Sequence, residues 1–173
     1  DIIDLMILNG NTHYDEGLKG ACEGGHVELV KMMLSLGATE YKWGLESACE
    51  GGHNEVVQMM LSLDSNNYNL GLAGACKGGH KELVEMMLNM GATNYYWGFC
   101  CACEGGHKEL VKMMLSLDSQ NNDYGLCRAC EQGHIEIVKL LLELGHYNVY
   151  GLYNACKGGH IEVVKLFLSL DSY

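Results

Sequence analysis

The chain has 173 residues, twenty-two of them acidic and eleven basic, for a net charge of −11. Proteins that grip a phosphate backbone cluster cations and release counterions, so this balance argues against nucleic acid as a partner. No apolar run reaches the ~18–20 residues of a membrane helix, and no basic stretch leads into an apolar one as in a signal peptide, so a soluble protein without a membrane partner is expected.

The pattern Ala-Cys-x-Gly-Gly-His-x-Glu returns along the chain six times, at Cys22, Cys49, Cys76, Cys103, Cys130 and Cys156, with His26, His53, His80, His107, His134 and His160 four residues on; Gln132 replaces the first glycine in the fifth copy. The cysteines are 27 residues apart four times and then 26. A fixed period of this size marks one supersecondary unit, copied and stacked so that each copy buries its apolar face against the next. The whole chain, 1–173, reads as one array: a partial unit at 1–16, then units at 17–43, 44–70, 71–97, 98–124, 125–150 and 151–173. Asp1 to Glu16 align without gaps onto Glu28 to Trp43, which predicts that the chain opens with the second helix of a unit whose first helix is missing. The chain also begins without Met, and its last predicted helix, Ile161 to Leu170, keeps the internal apolar pattern where a capping repeat needs a polar face, so an excerpt of a longer array is expected.

Within the first full copy, Leu18, Ala21 and Cys22 fall at i, i+3 and i+4, one face of a short helix that Gly24-Gly25 ends. The next run, Val27 to Leu36, is polar only at Glu28, Lys31 and Ser35, so it predicts a helix buried around most of its circumference. Gly37 stops that helix, and Ala38 to Trp43 form a short connection. Each unit is therefore a thin inner helix and an apolar outer helix, an all-α solenoid with some thirteen helices. Copies one and three follow the outer helix with Gly-Ala-Thr (Gly37, Gly91), whereas copies two, four and six have Asp-Ser (Asp64, Asp118, Asp171), as if the array grew by pairs; Gly145-His146-Tyr147 breaks the alternation where one residue is missing.

Gly-His-x-Glu-Leu/Val-Val-x-x-x-Leu-x-x-Gly-Ala, at Gly25 to Ala38 and again at Gly79 to Ala92, resembles the ankyrin repeat. The preceding Gly-Leu-x-x-Ala-Cys is similar to that family's Pro-Leu-His-x-Ala-Ala, with glycine for proline and cysteine for the second alanine. Ankyrin units run to about 33 residues, and the shortfall here lies where the family carries its β-hairpin finger. The resemblance therefore implies an ankyrin-like array without fingers, similar to the shortened arrays multiplied in large DNA viruses and some protists.

Cys-x-x-x-His recurs in every copy and both residue types can ligate zinc. Structural repetition explains the histidines better, since an imidazole opening the second helix can hydrogen-bond nearby backbone, as the resemblance also implies. Cys100, Cys101 and Cys127 fall outside the repeating position and create Cys100-x-x-Cys103 and Cys127-x-x-Cys130, but each pair includes a buried repeat cysteine and has no strand beside it. Reduced thiols in a cytosol-like compartment are expected, the host cytoplasm if the protein is viral, with only Cys100 and Cys127 reactive. No Ser/His/acid set, phosphate-cradling loop or carboxylate pair stands apart from the lattice, so neither an enzyme nor a cofactor is expected.

Variation between copies marks positions the stack does not dictate. The third residue of the unit is Lys19, Glu46, Ala73, Cys100, Cys127 or Tyr153; four later stand Glu23, Glu50, Lys77, Glu104, Glu131 or Lys157, on the same helix face. The penultimate connection residue varies as widely, at Lys42, Asn69, Tyr96, Asp123 and Val149, and Arg128 is the only arginine. In ankyrin arrays this side lines a concave groove that meets a partner protein. Here the resemblance implies an acidic groove for a partner with a basic patch, formed by Lys19, Glu23, Lys42, Glu46, Glu50, Asn69, Lys77, Tyr96, Glu104, Asp123, Arg128, Glu131, Tyr153 and Lys157. The bulky last residues of the units, Trp43, Leu70, Trp97, Tyr124 and Tyr150, read as packing wedges. The competing reading is a structural assembler whose uncapped apolar ends join copies end to end.

Overall fold

A computed structural model describes residues 13–63, 67–118 and 123–170. Twelve helices and no strand occur among the described residues. They alternate as inner helices α1 (Tyr14–Glu23), α3 (Tyr41–Gly51), α5 (Tyr68–Gly78), α7 (Tyr95–Gly105), α9 (Asp123–Gln132) and α11 (Gly151–Gly158), and outer helices α2 (Val27–Ser35), α4 (Asn54–Leu63), α6 (Lys81–Asn89), α8 (Lys108–Leu117), α10 (Ile135–Glu143) and α12 (Ile161–Leu170). The thirteenth helix expected from the alignment of the first sixteen residues falls mostly outside the described residues, as do Asp64 and Asp171 of the Asp-Ser copies. Inner helices of consecutive units pack side by side, whereas consecutive outer helices meet only at a few points.

The core is a set of columns along the stack. Leu18, Leu45, Leu72, Phe99 and Leu126 form one; Ala48, Ala75, Ala102, Ala129 and Ala155 a second; Cys22, Cys49, Cys76, Cys103 and Cys130 a third; and Val30, Val57, Val84, Val111 and Val138 of the outer helices a fourth. All of these residues are buried, because each unit lays its thin inner face on the one before. Met60, Met87 and Met114 are fully buried against the start of their own unit's inner helix, at Gly44, Gly71 and Gly98, whereas Leu88, one residue after Met87, is only half-buried.

The inner helices begin earlier than the sequence suggests. Tyr41-Lys42-Trp43, expected in the connection, form the first turn of α3, and the same holds at Tyr68 and Tyr95. The repeat glycine therefore sits inside the helix. A side chain at Gly44 would strike the sulfurs of Met60 and Cys22, and one at Gly71 those of Met87 and Cys49. Close packing explains why these helices accept a residue of poor helix propensity. Where one residue is missing, at the fifth-to-sixth junction, the first turn is lost and α11 starts only at Gly151.

Backbone hydrogen bonds lock each turn. In all six units the glycine before the histidine has a left-handed φ, from 70° at Gly25 to 84° at Gly106. The histidine amide then donates to the alanine carbonyl five residues back, as from His53 to Ala48 at 3.0 Å and from His107 to Ala102 at 3.0 Å. The ring itself reaches into the preceding unit. Nε2 of His53, His80, His107, His134 and His160 lies 2.9–3.0 Å from the carbonyl oxygens of Glu23, Glu50, Lys77, Glu104 and Glu131, where the protonated nitrogen donates to the last turn of the preceding inner helix. The repeating histidine is thus an inter-unit clamp.

The pairwise alternation also has a structural counterpart. Asp15 Oδ1 accepts from the Thr39 and Glu40 amides at 2.7 and 2.9 Å, and Asn69 Oδ1, 54 residues on, accepts from Thr93 and Asn94 at 2.8 and 2.9 Å. Each pins a Gly-Ala-Thr loop to the start of its own unit's inner helix. These two bonds hold Asp15 below the usual carboxylate range.

Candidate functional site

The variable residues of the inner helices lie along one side of the stack, but they do not form one uniform exposed strip. At the third unit position Lys19 and Tyr153 are exposed and Glu46 is half-buried, while Ala73, Cys100 and Cys127 are buried. This corrects the expectation that Cys100 and Cys127 are reactive. Burial pushes the Cys100 thiol up to about 11, and Cys127 upward as well. The accessible thiol is instead Cys156, a repeat cysteine with no further described unit to cover it.

Four residues along, the face is an ion-pair ladder crossing unit boundaries. Lys77 Nζ lies 3.0 Å from Glu50 and 3.6 Å from Glu104, Arg128 reaches Glu104 at 3.2 Å, and Lys157 reaches Glu131 at 2.6 Å. The hydrogen bond to Glu50 raises the Lys77 ammonium, and that from Lys157 lowers Glu131. Glu46 goes the other way: burial, with Glu50 beside it, raises its carboxyl. Periodicity could place these residues on one face, but only the stack shows that Lys77, Arg128 and Lys157 each reach an acid of a neighbouring unit. The candidate set holds six acids and five cations, so the face is nearly balanced and not the acidic groove expected from the net charge. Lys42 pairs with Glu40 at 3.2 Å, Asn69 is engaged by its own loop, Tyr96 is exposed beside Cys100, and the Asp123 carbonyl accepts from Asn148 at 3.5 Å.

The bulky last residues of the units are not wedges. Trp43, Trp97, Tyr124 and Tyr150 are 43%, 36%, 51% and 63% exposed, and Leu70 is half-buried. At Trp43, Leu70, Trp97 and Tyr124 the first turn of the inner helix includes this position, so the side chain stands on the variable face, one or two turns before the ladder; Tyr150 is the cap just before the last inner helix. Two contacts confirm the shared face: Lys42 lies 5.5 Å from the Trp43 ring centre and Arg128 lies 5.1 Å from that of Tyr124. Two depressions open there. One, of about 450 Å³, is lined by Asp15, Glu16, Lys19, Glu40 and Trp43. The other, of about 540 Å³, lies between α9 and α11 beside the lost helical turn and includes Tyr124, Arg128, Glu131, Tyr150, Tyr153 and Lys157 in its lining. Varied side chains on an invariant frame can recognise a surface; among the described residues no cluster of His, Cys, Asp and Glu suits a metal ion.

The comparisons agree with this architecture. The family model described as ankyrin repeats (3 copies) matches residues 72–150. The fold is similar to that of the human ASB11 ankyrin repeat domain, with a TM-score of 0.57 and 22% identity, covering 88% of this chain and 82% of that one. A comparison with curated proteins found no significant match. Over residues 72–150 the chain matches ankyrin repeats, and its fold is that of an ankyrin repeat domain. Its particular form is all-helical in the described residues, with connections too short for a β-hairpin finger.

Proposed function

We propose that the chain is a non-enzymatic scaffold that binds a partner protein through the inner-helix face. The observation that carries this reading is the row of variable, exposed side chains, among them Lys19, Tyr96, Tyr124, Tyr153 and Lys157, on a frame whose buried columns and histidine clamps are constant. Ankyrin repeats are generally protein-interaction modules, which supports the coarse statement. The face and its residues are the finer one. The free state of all nine cysteines, eight of them buried, supports a reducing, cytosol-like compartment.

The test is affinity capture with the native array and two variants of unchanged helicity. Lys19→Glu/Tyr96→Ala/Tyr153→Ala alters the inner face; Lys31→Glu/Lys112→Glu/Lys139→Glu alters the outer helices. Loss of the captured protein with the first variant only is expected, and loss with the second only would move the site to the outer face. The second reading is end-to-end assembly, favoured by the exposure of Cys156 and Ile161 on the last described unit. Light scattering that shows growth with concentration would support it, and a monodisperse monomer would remove it.

A further inference from the structure

Trp43, Leu70, Trp97 and Tyr124 hold one position in the first turn of successive inner helices and Tyr150 the equivalent position just before the last; all but the half-buried Leu70 are exposed, so the array presents a row of bulky, mainly aromatic side chains. Helices packed face to face lie about 8–10 Å apart. A polyproline II helix advances about 9.3 Å per three-residue turn and needs no internal hydrogen bonds. The two repeats match, so prolines on successive turns of such a segment can meet the rings of successive units, Trp97, Tyr124 and Tyr150. Proline-rich segments dock on aromatic surfaces because their extended form is already ordered when free.

Charge distinguishes the two ends of the row. Around Trp43 the depression holds three carboxylates, Asp15, Glu16 and Glu40, against Lys19 and against Lys42, which pairs with Glu40 and leaves one acid in excess. Around Tyr124 and Tyr150 the lining charges are Arg128, Lys157 and Glu131, already joined in the ladder with Glu104. The first depression therefore attracts a cation, and the second offers aromatic surface without an excess of acid. The net charge of −11 steers a basic segment toward the array from a distance.

We infer that the partner segment is a basic, proline-rich strand in the polyproline II conformation, its prolines lying along Trp97, Tyr124 and Tyr150 and its cationic end in the acidic depression at Trp43. This rests on the inner face being the binding face. It adds the conformation and chemistry of the occupant.

The chain's only two tryptophans, Trp43 and Trp97, both belong to the row, so their fluorescence reports occupancy directly. The probe is a synthetic oligoproline of about twelve residues flanked by arginine pairs, long enough for four unit steps; the control replaces the prolines with a Gly-Ser repeat. Expected are a saturable change with the proline probe, at least about tenfold weaker binding of the control, and a severalfold loss in Tyr124→Ala and Tyr150→Ala. Both tyrosines are exposed, so the variants keep the fold, which circular dichroism checks. Equal binding of the Gly-Ser control would reduce the effect to charge alone and overturn the inference. So would a titration unaffected by Tyr150→Ala, or no saturable change. Affinity capture lost on altering Lys19, Tyr96 and Tyr153, together with a silent proline probe, would leave the inner face standing and remove only its proline-rich occupant.

Discussion

Adding the same methyl group at two equivalent glycines should change stability in opposite directions. Gly20 of α1 and Gly74 of α5 hold the same repeat position. A Cβ on Gly20 meets nothing within 4 Å, whereas one on Gly74 would overlap the Glu46 carbonyl and crowd the Glu50 amide of α3. Replacing a helical glycine with alanine gains roughly 0.5–1 kcal/mol from the lower entropy of the unfolded chain. At Gly20 that gain stands alone, so Gly20→Ala should raise the melting midpoint by about 1–4 °C, at about 2–4 °C per kcal/mol for a chain of this size. At Gly74 it is offset by overpacking of about 1–3 kcal/mol, since the obstructing atoms are main chain and cannot rotate away. A net loss of up to roughly 2.5 kcal/mol follows, and the midpoint should fall. Helical ellipticity followed on heating, with urea titration as a second measure, reads both changes. A midpoint for Gly74→Ala at or above that of the native chain would refute the close approach of α3 and α5, particularly since Ser47, Cys101 and Arg128 hold this position in other units.

Three further outcomes follow from the packing. Met87→Ala, at a fully buried side chain, should cost about 2–5 kcal/mol in urea unfolding, and Lys112→Ala, in an exposed pair with Glu109, under about 0.5; similar losses would mean that the outer-helix faces are misassigned. In the native state a thiol reagent should label Cys156 rapidly and the eight buried cysteines only on unfolding, because burial keeps thiols such as Cys49, raised to about 12, protonated at neutral pH; a second fast thiol surviving in Cys156→Ser would contradict this. Asp15 has a lowered folded-state pKa, so its stabilisation is full above the ordinary carboxylate value and fades as pH falls through the lowered one. Asp15→Asn, which keeps the acceptor oxygen, should flatten that part of the acid limb in a pH series of melts, and an unchanged limb would show that the Thr39 and Glu40 bonds do not hold.

Much of the fold was legible because the repeat enforces it. The period, the Ala-Cys face, the Gly-Gly stop and the apolar outer run each state a local preference that every unit satisfies in the same way. The candidate face was legible only as a list of variable positions. Sequence placed Lys77 among them, but its pairing with both Glu50 and Glu104 needs three helices in register. Likewise Trp43 and Tyr124 read as wedges because helix starts are weakly encoded when no capping side chain announces them; the extra first turn swings these residues onto the variable face.

What the sequence determined by itself was therefore everything governed by hydrophobic period and backbone permissiveness: a helical stack, its unit length, its buried cysteines, the turns that need left-handed glycine. What only the tertiary structure decided was what depends on the neighbouring unit. Leu88 is half-buried while Met87 is buried, Cys156 is open while its five equivalents are closed, and each later histidine is joined to a carbonyl some thirty residues back. The physical reason is one of range. Periodicity records how a residue sits on its own helix, whereas exposure, ion pairing and clamping are set by the distance and rotation between helices, which no single unit contains.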